Sequence, residues 1–297
     1  MLVTGLSCGK HFSRLLAGSG KNLQTLGVVL GSFPDGEKYV RFKGSVSGKK
    51  ILLVQSMHPN PNDALIELFL AAKNASDLGA KKVTALVPYL GYMRQDKRFK
   101  PGEAFSAKHI AELLSSCLDE LFTFDSHMHR IKKTSEVFSI PAHNLSASND
   151  IAAFVEKKFN AKDTVIVGPD FESSQWARKI AGEIGFESTV LEKKRFSSRK
   201  VKVAMVEKIV LFGKRVVIID DIASTGHTLV EATRMLKKNG AKSVDCILVH
   251  ALLVDGAFEK IRKSGVRNFY SCNTIRHSTN AIDLSGTAAK AISKTLV

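Results

Sequence analysis

Short apolar runs recur along the chain at residues 51–55, 83–88, 121–124, 164–167, 216–219, 244–249 and 268–270, with helical patterns mostly between them. This alternation constrains the fold more than any other feature. Continuous apolar runs suit strands buried on both faces, and such strands are joined by helices in βαβ units. The expected class is therefore α/β, with mostly parallel sheets flanked by helices. One turn repeats within the pattern: Leu78-Gly79-Ala80-Lys81-Lys82-Val83 and Asn239-Gly240-Ala241-Lys242-Ser243-Val244 each follow a strand, a loop and a helix. Their glycines suit helix C-caps ahead of the next strand. The repetition predicts two similar halves, and 297 residues suggests two domains of about 150 residues each.

Residues 216–228 carry the most chemistry. An apolar run ends in Asp220 and Asp221, and the loop Ala223-Ser224-Thr225-Gly226-His227-Thr228 then leads into a predicted helix over 229–239. Ligands of open α/β sheets bind beyond the carboxyl ends of the strands. Small and hydroxylated residues at a helix N-terminus can wrap a phosphate, and an acid pair suits a ribose diol. An ordinary strand-to-helix turn needs a single N-cap, whereas this segment supplies two acids and three hydroxyls. The pattern points to a sugar phosphate.

This segment resembles the phosphoribosyl pyrophosphate signature shared by type I phosphoribosyltransferases and the ribose-phosphate pyrophosphokinase family. Three further segments are similar to the latter family: Phe33-Pro34-Asp35-Gly36-Glu37, the run from Pro88-Tyr89 through Tyr92-Met93-Arg94-Gln95-Asp96-Lys97, and Lys193-Lys194-Arg195. Together they span most of the chain in the family's order. The resemblance implies two phosphoribosyltransferase-like domains, expected at 1–143 and 144–280, with 281–297 returning to the first. The boundary is placed near 139–144, where Pro141 interrupts the pattern. It also implies transfer of the β,γ-pyrophosphoryl group of ATP to the C1 hydroxyl of ribose 5-phosphate.

Site residues follow from the same resemblance. Phe33, Asp35 and Glu37 are expected to hold adenine for a neighbouring subunit of a homo-oligomer, with Arg94, Gln95 and Asp96 completing ATP binding. Locally, Pro34-Asp35-Gly36 is also a strong turn signal, and Arg94 to Arg98 also reads as a polar loop. Lys193 and Arg195 are the expected catalytic cations, with Lys194 competing for the first role. Residues 192–203 read as a basic mobile lid or, alternatively, as an exposed basic strand pair. Mg²⁺ is the implied cofactor, contacted by His127 and Asp170; His129, two residues on, leaves its participation open.

The chain departs from the common pattern at Asp125-Ser126-His127-Met128-His129-Arg130, where many members have Asp-Leu-His-x-x-Gln, and at Phe171-Glu172, where many have a glycine pair. These departures resemble a shorter archaeal-type subgroup.

Composition narrows the alternatives. Forty-four basic and 28 acidic residues give +16, which favours polyphosphate ligands but also permits nucleic acid or anionic surfaces. Many lysines, such as Lys132, Lys133, Lys237 and Lys238, sit at loop ends or on amphipathic faces, so most of the charge reads as solvated surface and nucleic acid is not an expected partner. Cys8, Cys117, Cys246 and Cys272 are far apart, which indicates neither a zinc site nor a disulfide framework. No run approaches the roughly 20 apolar residues of a membrane span, and the N-terminus lacks a continuous hydrophobic stretch. A cytoplasmic enzyme is expected. The rivals are a type I phosphoribosyltransferase and a catalytically silent binding protein with the same fold.

Overall fold

The computed structural model describes residues 1–297 apart from 20–22, 129, 172, 198, 199, 208, 296 and 297. The chain forms two compact units: Met1–Ser146 with Thr274–Arg276 and Leu284–Val297, and Ala147–Asn273 with His277–Asp283.

Unit 1 contains β1 (Leu2–Gly5), α1 (Lys10–Ser19), β2 (Gln24–Thr25), β3 (Val28–Ser32), β4 (Lys38–Phe42), β5 (Lys50–Val54), α2 (Pro61–Asp77), β6 (Lys82–Val87), α3 (Ser106–Ser115), β7 (Glu120–Phe124) and β8 (Ala142–Leu145). Its main sheet runs β2-β1-β5-β6-β7-β8, and every pairing in it is parallel. β5, β6 and β7 are almost wholly buried because their Val, Leu, Ile and Phe residues face helices on both sides. β3 and β4 form a separate antiparallel hairpin.

Unit 2 contains α4 (Ser148–Lys158), β9 (Thr164–Gly168), α5 (Ser174–Ile184), β10 (Glu187–Ser197), β11 (Lys200–Met205), β12 (Arg215–Ala223), α6 (His227–Lys238), β13 (Ser243–Ala251), α7 (Ala257–Lys263), β14 (Val266–Cys272) and β15 (Asn280–Ile282). The sheet order is β11-β10-β9-β12-β13-β14-β15, parallel except for β10 with β11. Its core joins Val165, Val167, Val216, Ile218, Val244 and Leu248 to Leu229 and Leu236 of α6.

The last helix, α8 (Ser285–Ser293), belongs to unit 1, where Ser285 Oγ lies 3.1 Å from Ser19 Oγ at the end of α1. Residues 139–144, read from sequence as the boundary, lead into and form most of edge strand β8, and the division falls after Ser146. Pro141 interrupts the apolar pattern without ending the sheet: its carbonyl accepts the Leu121 amide at 3.0 Å. A strand's first residue is one of the few sheet positions that tolerate proline nearby.

The repeated turn has the same geometry in both units. Gly79 and Gly240 have φ of 81° and 86°. The Ala80 amide donates to Ala75 O at 3.0 Å and the Ala241 amide to Leu236 O at 3.2 Å, so both helices close with a Schellman-type bond.

Candidate active site

In unit 2 the carboxyl ends of β9 and β12 bring three acids together. Asp220 and Asp221 are 8% and 7% exposed near the end of β12, and the Asp221 amide donates to Asp220 Oδ1 at 3.0 Å. Burial, then the charges of Asp221 and Asp170, push the Asp220 carboxyl well above the usual carboxylate range. Asp170 follows β9, and its Oδ1 accepts the Ser173 amide at 3.0 Å in a tight turn before α5.

The loop 223–228 is pinned by its carbonyls. Ala223 O accepts the amides of Leu252 and Leu253, and Ser224 O accepts that of Val254, at 3.0–3.1 Å. Gly226 is the N-cap of α6, with φ 76° and no side-chain cap. The first amides of a helix have no partner within it, and those of α6 follow directly on a turn that carries Ser224, Thr225 and Thr228. Glycine is required at 226 twice over: for the left-handed φ, and because a Cβ there would approach Ile261 Cδ1 to 2.8 Å. Thr225 and His227 are exposed, and Ser224 and Thr228 half-buried, as befits a turn open to a soluble ligand.

Lys193, Lys194 and Arg195 lie in β10, opposite Val203, Lys202 and Val201 of β11. The lid reading expected irregular backbone here, whereas the described residues of 192–203 form the antiparallel strand pair that was its alternative. Residues 198 and 199 lie outside the described residues.

In unit 1 the segments expected to bind ATP follow β3 and β6, and the expected metal contact His127 follows β7. Phe33 to Glu37 form the tip of the β3–β4 hairpin, closed by the Phe33 amide on Glu37 O at 2.8 Å and by Gly36 at φ 97°. Phe33 is 52% exposed and touches Tyr39 edge-on with ring centroids 6.1 Å apart. Asp35 and Glu37 are exposed. The turn and the presented aromatic are thus one device.

The loop after β6 turns through Tyr92 at φ 66°. Arg94 is exposed, while Gln95 donates to Glu103 at 3.0 Å. Asp96 is placed differently from a ligand-facing carboxylate: it is 3% exposed and pairs with Arg130, whose guanidinium donates to Oδ1 at 3.0 Å and whose amide donates to Oδ2 at 2.9 Å. Arg130, noted in the sequence only as a departure, is the residue that sequence reasoning missed; a single Asp96 in an otherwise basic loop gave no local signal for the pairing. His127 is half-buried beyond β7, just after the positive-φ Asp125. His129 and Glu172 lie outside the described residues, and Phe171 is 75% exposed.

The profile of the N-terminal domain of ribose phosphate pyrophosphokinase matches residues 9–117, and that of the phosphoribosyl transferase domain matches residues 108–282. A ribose-phosphate pyrophosphokinase of Methanopyrus kandleri is 33% identical over 292 residues, covering 98% of both chains. Those of Methanobrevibacter smithii and Saccharolobus solfataricus are 38% and 42% identical, over 88% and 82% of this chain and 89% and 82% of theirs. The chain belongs to the ribose-phosphate pyrophosphokinase family.

The fold agrees with that assignment. The crystal structure of phosphoribosylpyrophosphate synthetase from Mycobacterium smegmatis superposes with a TM-score of 0.87 at 25% identity, covering 99% of this chain and 98% of that one. As a ribose-phosphate pyrophosphokinase family member, the protein is accounted for along nearly its whole length. A phosphoribosyltransferase alone leaves the first profile, and with it the Phe33 and Arg94 segments, without a role. No helix among the described residues is long and apolar enough to cross a membrane.

Magnesium takes hard oxygen ligands and commonly uses one or two protein groups with substrate phosphates and water. Asp170, Asp220 and Asp221 fit that donor type. Burial first, then the charges of Asp221 and Asp170, raise the proton affinity of Asp220, and a divalent cation would offset the charge part of that effect. Among the described residues no group of three or more His, Cys, Asp or Glu side chains is placed to hold a metal ion by itself.

Proposed function

We propose that the protein makes 5-phosphoribosyl 1-pyrophosphate by moving the β,γ-pyrophosphoryl group of Mg-ATP to the C1 hydroxyl of ribose 5-phosphate, releasing AMP. The observation that supports this reading is the turn at the tip of β12, where a buried acid pair is followed by a loop of small and hydroxylated residues and a helix N-terminus without a side-chain cap.

In this reading the 5-phosphate sits in loop 223–228 against the α6 amides, where the helix macrodipole adds to hydrogen bonding. Asp220 and Asp221 accept the ribose hydroxyls. Magnesium, when bound, neutralises triphosphate charge, with Asp170 and His127 as its protein contacts, direct or through water. Lys193 and Arg195 stabilise the charge that develops as the α,β bridge breaks. In a strand their positions share one face and that of Lys194 the other, which supports Lys193 as the partner of Arg195. Arg94 and Gln95 hold the nucleotide, and Asp96 acts by fixing their loop to Arg130. The exposed tip at Phe33, Asp35 and Glu37 presents an adenine platform to a second subunit, so the working enzyme is a homo-oligomer with a composite ATP site.

An AMP-forming assay with ATP and ribose 5-phosphate, and no nucleobase, tests the reading. AMP and 5-phosphoribosyl 1-pyrophosphate in equal amounts are expected. A product formed only when a base and 5-phosphoribosyl 1-pyrophosphate are supplied would assign a phosphoribosyltransferase instead. Salt-sensitive nucleic-acid binding without turnover would assign a silent binding protein.

A further inference from the structure

Within unit 2, β10 changes partners along its length. From Glu187 to Val190 it runs parallel to β9, and the last pair is Val190 with Gly168. From Leu191 onward its partner among the described residues is β11, in antiparallel register from Leu191 with Met205 to Ser197 with Lys200. The ribbon that carries Lys193 and Arg195 therefore extends past the end of the strand that supports its base. Two strands paired only with each other are marginally stable in water, so the direction of the ribbon is set at its root.

Three residues close that root. The Val206 amide donates to Val190 O at 2.9 Å, and the same register carried one residue inward sets Glu207 opposite Thr189. There a side chain takes over from the backbone ladder. The Thr189 hydroxyl accepts the Glu207 amide at 3.3 Å and lies 3.0 Å from both Glu207 O and Glu207 Oε2, so its one hydrogen goes to either. Thr189 is buried and Glu207 half-buried. The remaining carboxylate oxygen, Oε1, accepts the Arg178 guanidinium.

Arg178 belongs to α5, the helix that opens on the Asp170 turn. That turn is itself fastened, with Ser173 Oγ donating to Asp170 O at 2.8 Å. One chain of contacts thus runs from the acid at the end of β9, through α5, to the strand by which the chain leaves the ribbon. The side chains of Arg178 and Glu207 are 56% and 41% exposed, and an ion pair this open contributes little stability. Its consequence is geometric, because it ties the base of the ribbon to the helix behind Asp170.

We propose that Thr189, Glu207 and Arg178 form a positioning clasp, which fixes the direction in which the β10–β11 ribbon presents Lys193 and Arg195 relative to Asp170. The three act through the ribbon and are positioning rather than catalytic residues. The proposal rests on the reading of Lys193 and Arg195 as the catalytic cations. A displacement of about 1 Å at a reacting group can cost about a hundredfold in rate, and Lys193, four residues beyond Thr189, moves with any rotation at the root.

The test combines steady-state AMP formation with limited trypsin digestion of the full-length protein. Glu207→Ala and Thr189→Val are each expected to lower kcat by about ten- to a hundredfold, with KM for ATP and for ribose 5-phosphate near wild type because the misplaced cations act on the transition state. Arg178→Ala should show the same split in smaller degree. Glu207→Gln and Thr189→Ser, which keep a hydrogen-bonding group in place, should recover most of the rate and guard against misfolding of the first pair. Trypsin should cut at Lys193, Lys194 or Arg195 about three- to tenfold faster in Glu207→Ala and Thr189→Val, because fewer hydrogen bonds oppose opening of the root. Wild-type kcat in those two variants, while Lys193→Ala and Arg195→Ala lose turnover, overturns the clasp alone. An unchanged cleavage rate, or a lower melting temperature with kcat intact, also overturns it. Normal turnover of Lys193→Ala and Arg195→Ala overturns the reading of the cations and the clasp with it.

Discussion

Arg130 holds Asp96 with two parallel donors, its guanidinium on one carboxylate oxygen at 3.0 Å and its own amide on the other at 2.9 Å. The Asp96 side chain is 1% exposed and that of Arg130 41%. The pair ties the loop after β6, which carries Arg94 and Gln95, to the loop after β7, which carries His127. A residue that departs from the common family pattern thus anchors a segment that keeps it.

Arg130→Ala should therefore leave a buried carboxylate short of a donor and destabilise unit 1 by about 1–3 kcal/mol. The partial exposure of Arg130 keeps this below the cost of breaking a fully buried pair. Arg130→Gln should recover part of the loss. Denaturant midpoints measure the stability, and the KM for ATP should rise with little change in the KM for ribose 5-phosphate.

Replacing Lys193 or Arg195 with Ala should lower kcat by about a thousandfold, the scale of a positioned cation in phosphoryl transfer. KM values should change little, because the charges act on the transition state. Lys194→Ala should remain near wild type. Steady-state kinetics with all three variants decide the assignment, and equal losses at 193 and 194 would remove the strand-face argument.

Gly226→Ala places a Cβ at φ 76° and 2.8 Å from Ile261 Cδ1. The backbone strain is about 1–3 kcal/mol. Relief requires α6 or α7 to shift, which displaces the amides around the turn. The KM for ribose 5-phosphate should rise more than tenfold, about 1.4 kcal/mol or more of lost binding, alongside a lower melting temperature. An unchanged KM would show that the loop does not hold the sugar phosphate.

Asp220 supplies a pH signature. Its carboxyl is raised in the folded state by burial and by Asp221 and Asp170, so the stability associated with its protonated form is fully present below the unfolded carboxylate range. That stability is lost as pH rises through the elevated folded value. Without magnesium, Asp220→Asn should melt higher than wild type near neutral pH. Added Mg²⁺ should favour the ionised wild-type cluster and narrow the difference. Melting curves against pH, with and without Mg²⁺, give the comparison.

Much of the site was legible because its signals are local. The β-branched run ending in Asp220 and Asp221, Gly226 at a left-handed cap, and Pro34-Asp35-Gly36 at a hairpin tip each follow from the conformations that neighbouring residues allow. The parallel strands were legible for the same reason, since a buried strand needs an unbroken apolar run. Less regular elements were missed: β8 begins beside a proline and mixes His143 and Asn144 with apolar residues, and β10 and β11 are too rich in Lys and Arg to show a buried period.

The sequence by itself determined the α/β class, the duplicated turn and the acid-tipped strand that leads into the Gly226 turn, because each rests on contacts a few residues apart. Only the tertiary structure decided that Asp96 belongs to Arg130, that α8 returns to unit 1, and that Arg276 joins Lys10 and Arg14 around one cavity. Those relationships link residues 34 to more than 260 positions apart. Pairing at that range is set by where the folded sheets place the chain, and no local propensity encodes it.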